Sequence, residues 1–379
     1  MAHFSHHLIA ALLQPLLPFI RDDFNLDYTQ AGWIVSAFTL AYGISQLPAG
    51  WLADRIGARI LITLGISGVA VCGLIVGLSP SYTIMIIFLV LMGILGGGYH
   101  PAASPLVSAS VEVKNRGRAL GMHQIGGTAS FFLTPLIAVV TANALGSWRG
   151  SFIILAIITI IFGFILYILL GRRKYTSKPE ERTTPSTTDL PSPALRSGKL
   201  IPFIIIGVIV QVAIFSTASF IPLFVVDGLK TSVTVGATLF ALIHFAGLWA
   251  GPVGGYLSDR IGKVPVMLAV SLTAGPFIYL LSQVSLGWSI SAILLLMGIS
   301  QYVAMPVSEA YIISHSPARQ RSTILGIYYF ASRGGPGLVI PGIGYLIDKF
   351  DFSTAFTAVG LGTLAIILGC SLFLWGSRD

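Results

Sequence analysis

GWLADRIG at residues 50–57 returns as GYLSDRIG at residues 255–262, a shift of 205 positions that leaves six of the eight residues unchanged. The same shift, with no gap, sets Pro101 on Pro306 and Asp22 on Asp227. It also sets Arg116, Leu120 and Gly121 on Arg321, Leu325 and Gly326. One register running unbroken from residue 22 to residue 121 marks an internal duplication, so the chain is two related halves. Both copies of the octapeptide stand between long apolar runs, where paired glycines allow a turn within a few residues. Asp54 and Asp259 can accept hydrogen bonds from a helix N-terminus, whose dipole favours an anion.

Those apolar runs decide the solvent. Of 379 residues, 55% are hydrophobic and 9% charged, against about 25% charged in an ordinary soluble domain. So few charges cannot cover a water-soluble surface of this size, and lipid is the expected solvent. About 20 apolar residues span a bilayer core. Twelve segments of that kind are expected at 3–20, 29–51, 59–79, 82–111, 118–142, 150–170, 201–226, 233–256, 264–283, 288–314, 322–347 and 352–375. They are continuous, which favours helices over the short alternating strands of a barrel. The first has no basic leader and no small-residue cleavage site, and Pro15 and Pro18 fall late within it, so it is expected to stay as a span. Cys72 and Cys370 lie in apolar runs and imply no disulfide framework. None of Asn25, Asn115 and Asn143 begins a glycosylation sequon.

The fold class expected is therefore an all-α integral membrane protein of twelve helices in two pseudo-symmetric bundles. The bundles are placed at 1–170 and 201–379, joined by a cytoplasmic linker at 171–200 rich in Pro, Ser, Thr and charge. The net charge of +8 does not point to nucleic acid. Assigning loops alternately puts 17 Lys and Arg on one side and only Arg21, Arg149, Lys230 and Lys349 on the other. The positive-inside rule then places both termini in the cytoplasm of a plasma (inner) membrane.

GWLADRIGAR resembles the signature loop of the major facilitator superfamily, with GYLSDRIGK as its second-half echo, and the resemblance covers the whole chain. Within it, LLQPLLPFIRDDFNLDYTQAG and GGYHPAASPLVSA resemble the fosmidomycin-resistance-like branch of drug and organic-solute carriers. The resemblance implies proton-coupled transport by alternating access, and a latch on the cytoplasmic side formed by Asp54 and Arg55, more weakly by Asp259 and Arg260. Two departures stand out. His7 occupies the place of an acid usual early in the first helix. The fifth segment reads GGTASFFLTPLIAVV, without the GxxxGPxxGG pattern of drug antiporters.

Two charges remain inside spans, Glu309 and Arg333. Ionisable groups at that depth usually face a cavity or a partner. Arg333 lies about 12 residues, roughly 18 Å, from the cytoplasmic end of its helix, near the midplane. Gly334, Gly335, Pro336 and Gly337 follow and should break the helix beside it, a pointer to a binding site. A guanidinium there suits a carboxylate or phosphonate, unless it pairs with Glu309. Glu309 is the candidate proton carrier. His7, His100, His123 and His244 also lie within spans, where a histidine can carry protons or bind an anion; His100, His123 and His244 are candidate substrate contacts, the first two placed where they can face one another and His244 near the midplane. Gln14 and Tyr329 are the preferred further cavity contacts, because the first and eleventh helices line the cavity in the resembled family. Tyr42, Gln46, Tyr99, Gln124, Gln211, Tyr302 and Tyr328 are further polar groups within the spans.

No metal motif with ligand spacing is present, and His3, His6 and His7 are expected to bind metal only adventitiously. There is no Walker sequence, so no ATP-driven transport and no cofactor is expected. No nucleophile or acid pair marks an enzyme. The reading is a secondary carrier in the lipid bilayer with protons as coupling ion and a small anionic solute as substrate. The alternative is a multidrug/proton antiporter for apolar or cationic compounds.

Overall fold

The computed structural model describes residues 1–172, 198–317 and 320–377, without the side chains of Val113 and Ser322. Most of the expected linker at 171–200 lies outside the described residues. Regular structure among the described residues is helical throughout. Twelve passes follow in order: α1 at 2–24, α2 Tyr28–Ile56, α3 Ala58–Leu78, α4 Tyr82–Ala109, α5 Arg116–Leu145 and α6 Trp148–Arg172. Then come α7 Leu200–Gly228, α8 Val233–Leu248 with Ala250–Ile261, α9 Lys263–Leu281, α10 Trp288–His315, α11 at 321–349 and α12 Phe352–Leu374.

The repeat is written into the helix boundaries. Tyr28, Ala58 and Arg116 begin α2, α3 and α5, and Val233, Lys263 and Arg321 begin α8, α9 and α11, each 205 residues later. Gly57 (φ 85°) and Gly262 (φ 97°) turn the chain at matching places in a region that disfavours any side chain. α2 opens on a capping box in which Asp27 accepts from the Gln30 amide at 2.6 Å and Gln30 returns the bond at 3.1 Å. α12 opens on Asp351, which accepts from the Thr354 amide at 2.6 Å. That bond holds the Asp351 carboxyl below its ordinary range.

Among the described residues eight helices are long and apolar enough to cross a membrane, and α8, bent by 42°, makes a ninth. The three remaining passes are α1, α2 and α11. α1 is interrupted by a 3-10 turn at Ala10–Leu12, where Pro15 withholds the amide that Ala11 would accept from. α11 breaks between Gly334 and Pro336 into two helices, as the glycine and proline run predicts. All three contribute to the wall of the central cavity described below.

Hydrogen bonds and ion pairs join the first six and last six helices at mid-depth and on the face away from the termini. Asp227 of α7 accepts from Arg21 of α1 (Nη2, 3.1 Å, and Nη1) and from the Tyr28 hydroxyl at 3.0 Å. Asp348 of α11 accepts from the amides of Tyr28 and Thr29 at 2.9 and 2.8 Å, so it caps the start of α2 from the other half. Asn143 reaches Thr234 at 3.3 Å, and deeper in, the Ser36 hydroxyl donates to the Gly337 carbonyl. At mid-depth α2 and α11 approach so closely that a Cβ on Gly43 would collide with the Gly334 backbone.

The face carrying the termini is different. Asp54, Arg55, Asp259 and Arg260 are exposed. Arg55 stacks over Trp51 at 4.2 Å and Arg260 over Tyr256 at 4.7 Å, each within its own half. The conformation is closed away from the termini, and beside them both arginines stay within their own halves.

Candidate functional site

The cavity lies between the two halves and is lined by both. Its walls are His7 and Gln14 from α1, Phe38, Thr39 and Tyr42 from α2, and Phe131 from α5, with Gln211 and Phe215 from α7, Gln301 from α10, and Ser332, Arg333 and Pro336 from α11. Among these lining residues Arg333 carries the only fixed charge, and none is acidic. Gln211 donates to the main-chain carbonyl of Gln301 at 2.7 Å, which fixes the Gln211 amide on the wall.

Arg333 stands in the last turn before the α11 break. Its Nη2 meets the Met305 sulfur at 3.2 Å, a weak acceptor that leaves most of the guanidinium fork uncommitted. No ion pair joins Arg333 to Glu309 among the described residues. The Glu309 carboxyl lies beside the Tyr329 hydroxyl instead. That pair lies nearer the face carrying the termini, and neither residue is on the cavity wall.

Beside the cavity, the first-half bundle gathers five histidines. Positions 3, 6 and 7 of α1 share one helical face because residues three and four apart are neighbours. His100 joins them from α4 and His123 from α5. The His3 ring stacks on His123 at 4.3 Å and meets His100 edge-on at 5.0 Å. His100 and His123 therefore do not face each other directly; His3 stands between them. His6 stacks on Tyr99 at 4.1 Å. Two tautomers follow from geometry, since a carbonyl only accepts. His3 Nδ1–H donates to the His123 carbonyl and His6 Nδ1–H to the Gly65 carbonyl, both at 2.7 Å. His3 and His7 Nε2 lie 3.1 Å apart. His7 alone of the five reaches the cavity wall.

His244 is buried in the other half, its Nδ1 2.8 Å from the Tyr302 hydroxyl, and is off the wall. Phe131 connects it to the cluster, with ring centroids 4.6 Å from His7 and 5.3 Å from His244. Of the expected contacts, Arg333 and Gln14 meet in the cavity, and His100 and His123 join the cluster behind it. Sequence reasoning missed Gln301 and the aromatic walls Phe38, Phe131 and Phe215, which look like ordinary apolar filling in a span. It also missed the roles of Asp227 and Asp348. The alignment of Asp22 with Asp227 was the available signal for the first.

Comparison with known proteins agrees with this architecture. The family model for the Major Facilitator Superfamily matches residues 1–332 and again 229–379. The multidrug resistance protein MdtG of Proteus mirabilis is 25% identical over 315 residues, 80% of this chain and 76% of that protein. A probable nitrate/nitrite antiporter NarK1 of Thermus thermophilus is 30% identical over 258 residues, 65% of this chain and 57% of that protein. A probable L-galactonate transporter of Escherichia coli is 30% identical over 156 residues, 41% of this chain and 34% of that protein. Among solved structures, a POT family transporter in complex with 5-aminolevulinic acid superposes with a TM-score of 0.82 at 15% identity, over 98% of this chain and 94% of that one. A bacterial homolog of the human lysosomal transporter Spinster, inward-facing and occupied, gives 0.74 at 16% identity, over 98% and 93%. Duplicated halves, a central cavity and a family match over the whole length converge: this chain is a transporter of the Major Facilitator Superfamily.

Proposed function

We propose that the chain moves a small organic anion by alternating access, driven by protons, with Arg333 as the anion's anchor. The observation that carries this is the cavity wall, where one uncommitted guanidinium is the only fixed charge. A guanidinium binds a carboxylate or phosphonate through two parallel hydrogen bonds. Gln14 offers a donor from the opposite half, so an anion held by Arg333 reaches both bundles as the halves close around it. Nitrate, nitrite and galactonate in the names of two relatives are themselves anions.

In this reading residues 1–170 and 201–379 rock as two bodies about the α2–α11 contact. Asp54 with Arg55, and Asp259 with Arg260, latch the terminus-bearing face when it closes. The excess of Lys and Arg on that face assigns it to the cytoplasm, so the conformation described is open inward. Glu309 carries the coupling proton, and the buried histidines, His244 included, are further proton acceptors.

A multidrug/proton antiporter is the second reading. Phe38, Phe131 and Phe215 on the wall favour it, as does the similarity to MdtG. Thermal unfolding of purified protein against carboxylates, phosphonates, lipophilic cations and neutral drugs separates the two. A ligand at 100 times its Kd stabilises the native state by about 2.7 kcal/mol. Anions should raise Tm in the wild type and not in Arg333→Ala. If only cationic or apolar compounds raise it, and equally in the variant, the anion reading fails and the antiporter replaces it.

A further inference from the structure

We propose that His3, His7 and His100 form a binding site for one divalent transition-metal ion of the zinc, nickel or cobalt class, with an open coordination position toward the cavity. No metal motif was expected from the sequence, because the third ligand comes from a different helix. One ring nitrogen from each of the three lies within 4.8 Å of the others. The His3 and His7 Nε2 atoms are 3.1 Å apart. Two imidazoles at metal–nitrogen bonds of about 2.0–2.1 Å on a tetrahedral centre stand about 3.3 Å apart, so this pair already has chelate spacing.

Orientation supports the same conclusion. Because His3 Nδ1–H is committed to the His123 carbonyl, its Nε2 lone pair points into the cluster. A backbone carbonyl fixing the far nitrogen is the arrangement metal-bound histidines usually have. His3 and His7 sit one helical turn apart on α1, so a single helix presents both. His3 is 4% exposed and His7 8%, which shields the donors from water. His6 is not a ligand, since it lies outside the group of converging ring nitrogens and its Nε2 is turned to the Tyr42 hydroxyl at 3.4 Å.

The donor chemistry selects the ion. Neutral imidazoles suit zinc, copper, nickel and cobalt and exclude magnesium and calcium, which require oxygen ligands. Three protein ligands leave one position of a tetrahedron for another group. His7 is both a ligand and part of the cavity wall, so that position opens to the cavity, where water or a solute anion completes the shell. The inference does not depend on which solute is carried.

The test uses the full chain without a polyhistidine tag, purified in detergent and stripped with a chelator. Cobalt and zinc titrations should give one equivalent per chain, and bound cobalt should show the intense visible absorption of a four-coordinate centre. His7→Gln and His100→Gln should each weaken binding by more than about 100-fold, beyond the 10–100-fold that loss of a supporting group costs. His6→Gln and His315→Gln should bind as the wild type does. Sub-stoichiometric binding by the wild type overturns the site and leaves a histidine stack held by a His7–His3 hydrogen bond. Equal binding by the wild type and His100→Gln also overturns it, since α1 alone would then be chelating the ion. A monodisperse His7→Gln protein that melts cooperatively keeps the test valid should His100→Gln fail to fold.

Discussion

Asp227→Asn should loosen the closed face without disturbing the cavity. Asp227 accepts two bonds from Arg21 and one from Tyr28, and the paired side chains are only 15% and 20% exposed. A hydrogen bond to a charged group is worth about 1.5–3 kcal/mol net, whereas a fully exposed ion pair contributes about 0.2–1 kcal/mol. Arg21 keeps Asp22 at 2.7 Å, and the asparagine can still accept from Tyr28. The expected loss is therefore about 1–2 kcal/mol, a factor of about 5–30 in the equilibrium between closed and open. Spin labels at Ala144→Cys and Gln283→Cys, both exposed at that face on opposite halves, would measure it, with Cys370 replaced by Ser and Cys72 left buried. Their distance distribution should gain a longer population in Asp227→Asn. Arg21→Gln should do the same, and the double variant should add little to either single one. Unchanged distributions, or fully additive effects, would refute the latch assigned to this pair.

Asp348→Ala removes the cap that α11 lends to α2 and should lower stability by about 0.5–2 kcal/mol, read as a fall in Tm. Gly43→Leu places a side chain against the Gly334 backbone, an overpacking that costs about 1–3 kcal/mol, and should abolish uptake into proteoliposomes. Gly50→Ala, with no atom near its Cβ position, should transport normally. Glu309→Gln should lose uptake driven by a pH gradient yet retain exchange of labelled for unlabelled solute across the membrane; loss of both would make Glu309 structural.

The duplication was readable because helix boundaries in the two halves are set by the same local signals. Gly57 and Gly262 turn in the same left-handed region, and the helices they precede start in step. The broken α11 was readable for a similar reason, since Gly334 to Gly337 is a local instruction. The site was only partly readable. Arg333 is conspicuous because a charge at that depth is costly, and it does reach the cavity. His123 and Tyr329 are polar at similar depth but face other helices, since depth alone does not give the rotation of a helix about its axis. The histidine cluster needed α1, α4 and α5 to be placed together before His3 could be seen between His100 and His123. On the closed face, Asp348 looks like a loop charge until it is seen capping a helix 320 residues away.

Alternating access needs two states within a few kcal/mol of each other, and the closed face alone would prevent that. Opening it breaks the bonds to Asp227 and Asp348 together with the Asn143–Thr234 contact, a sum of several kcal/mol. Something on the opposite face must form as these break. The duplicated loops stand there with Asp54, Arg55, Asp259 and Arg260 exposed and unjoined across the halves, and they are the natural counterweight. In the reading proposed, solute would enter this balance through Arg333, which stands beside the Gly43–Gly334 and Ser36–Gly337 contacts. A ligand with equal affinity for both states shifts nothing. One that bonded Arg333 from α11 and also Gln14 from α1 would gain its second contact only as the halves approach beside the face carrying the termini. Its extra affinity for that closed form would then drive the rocking. The driving force therefore depends on the solute being long enough to span the cavity, and a monatomic anion should bind Arg333 without being carried.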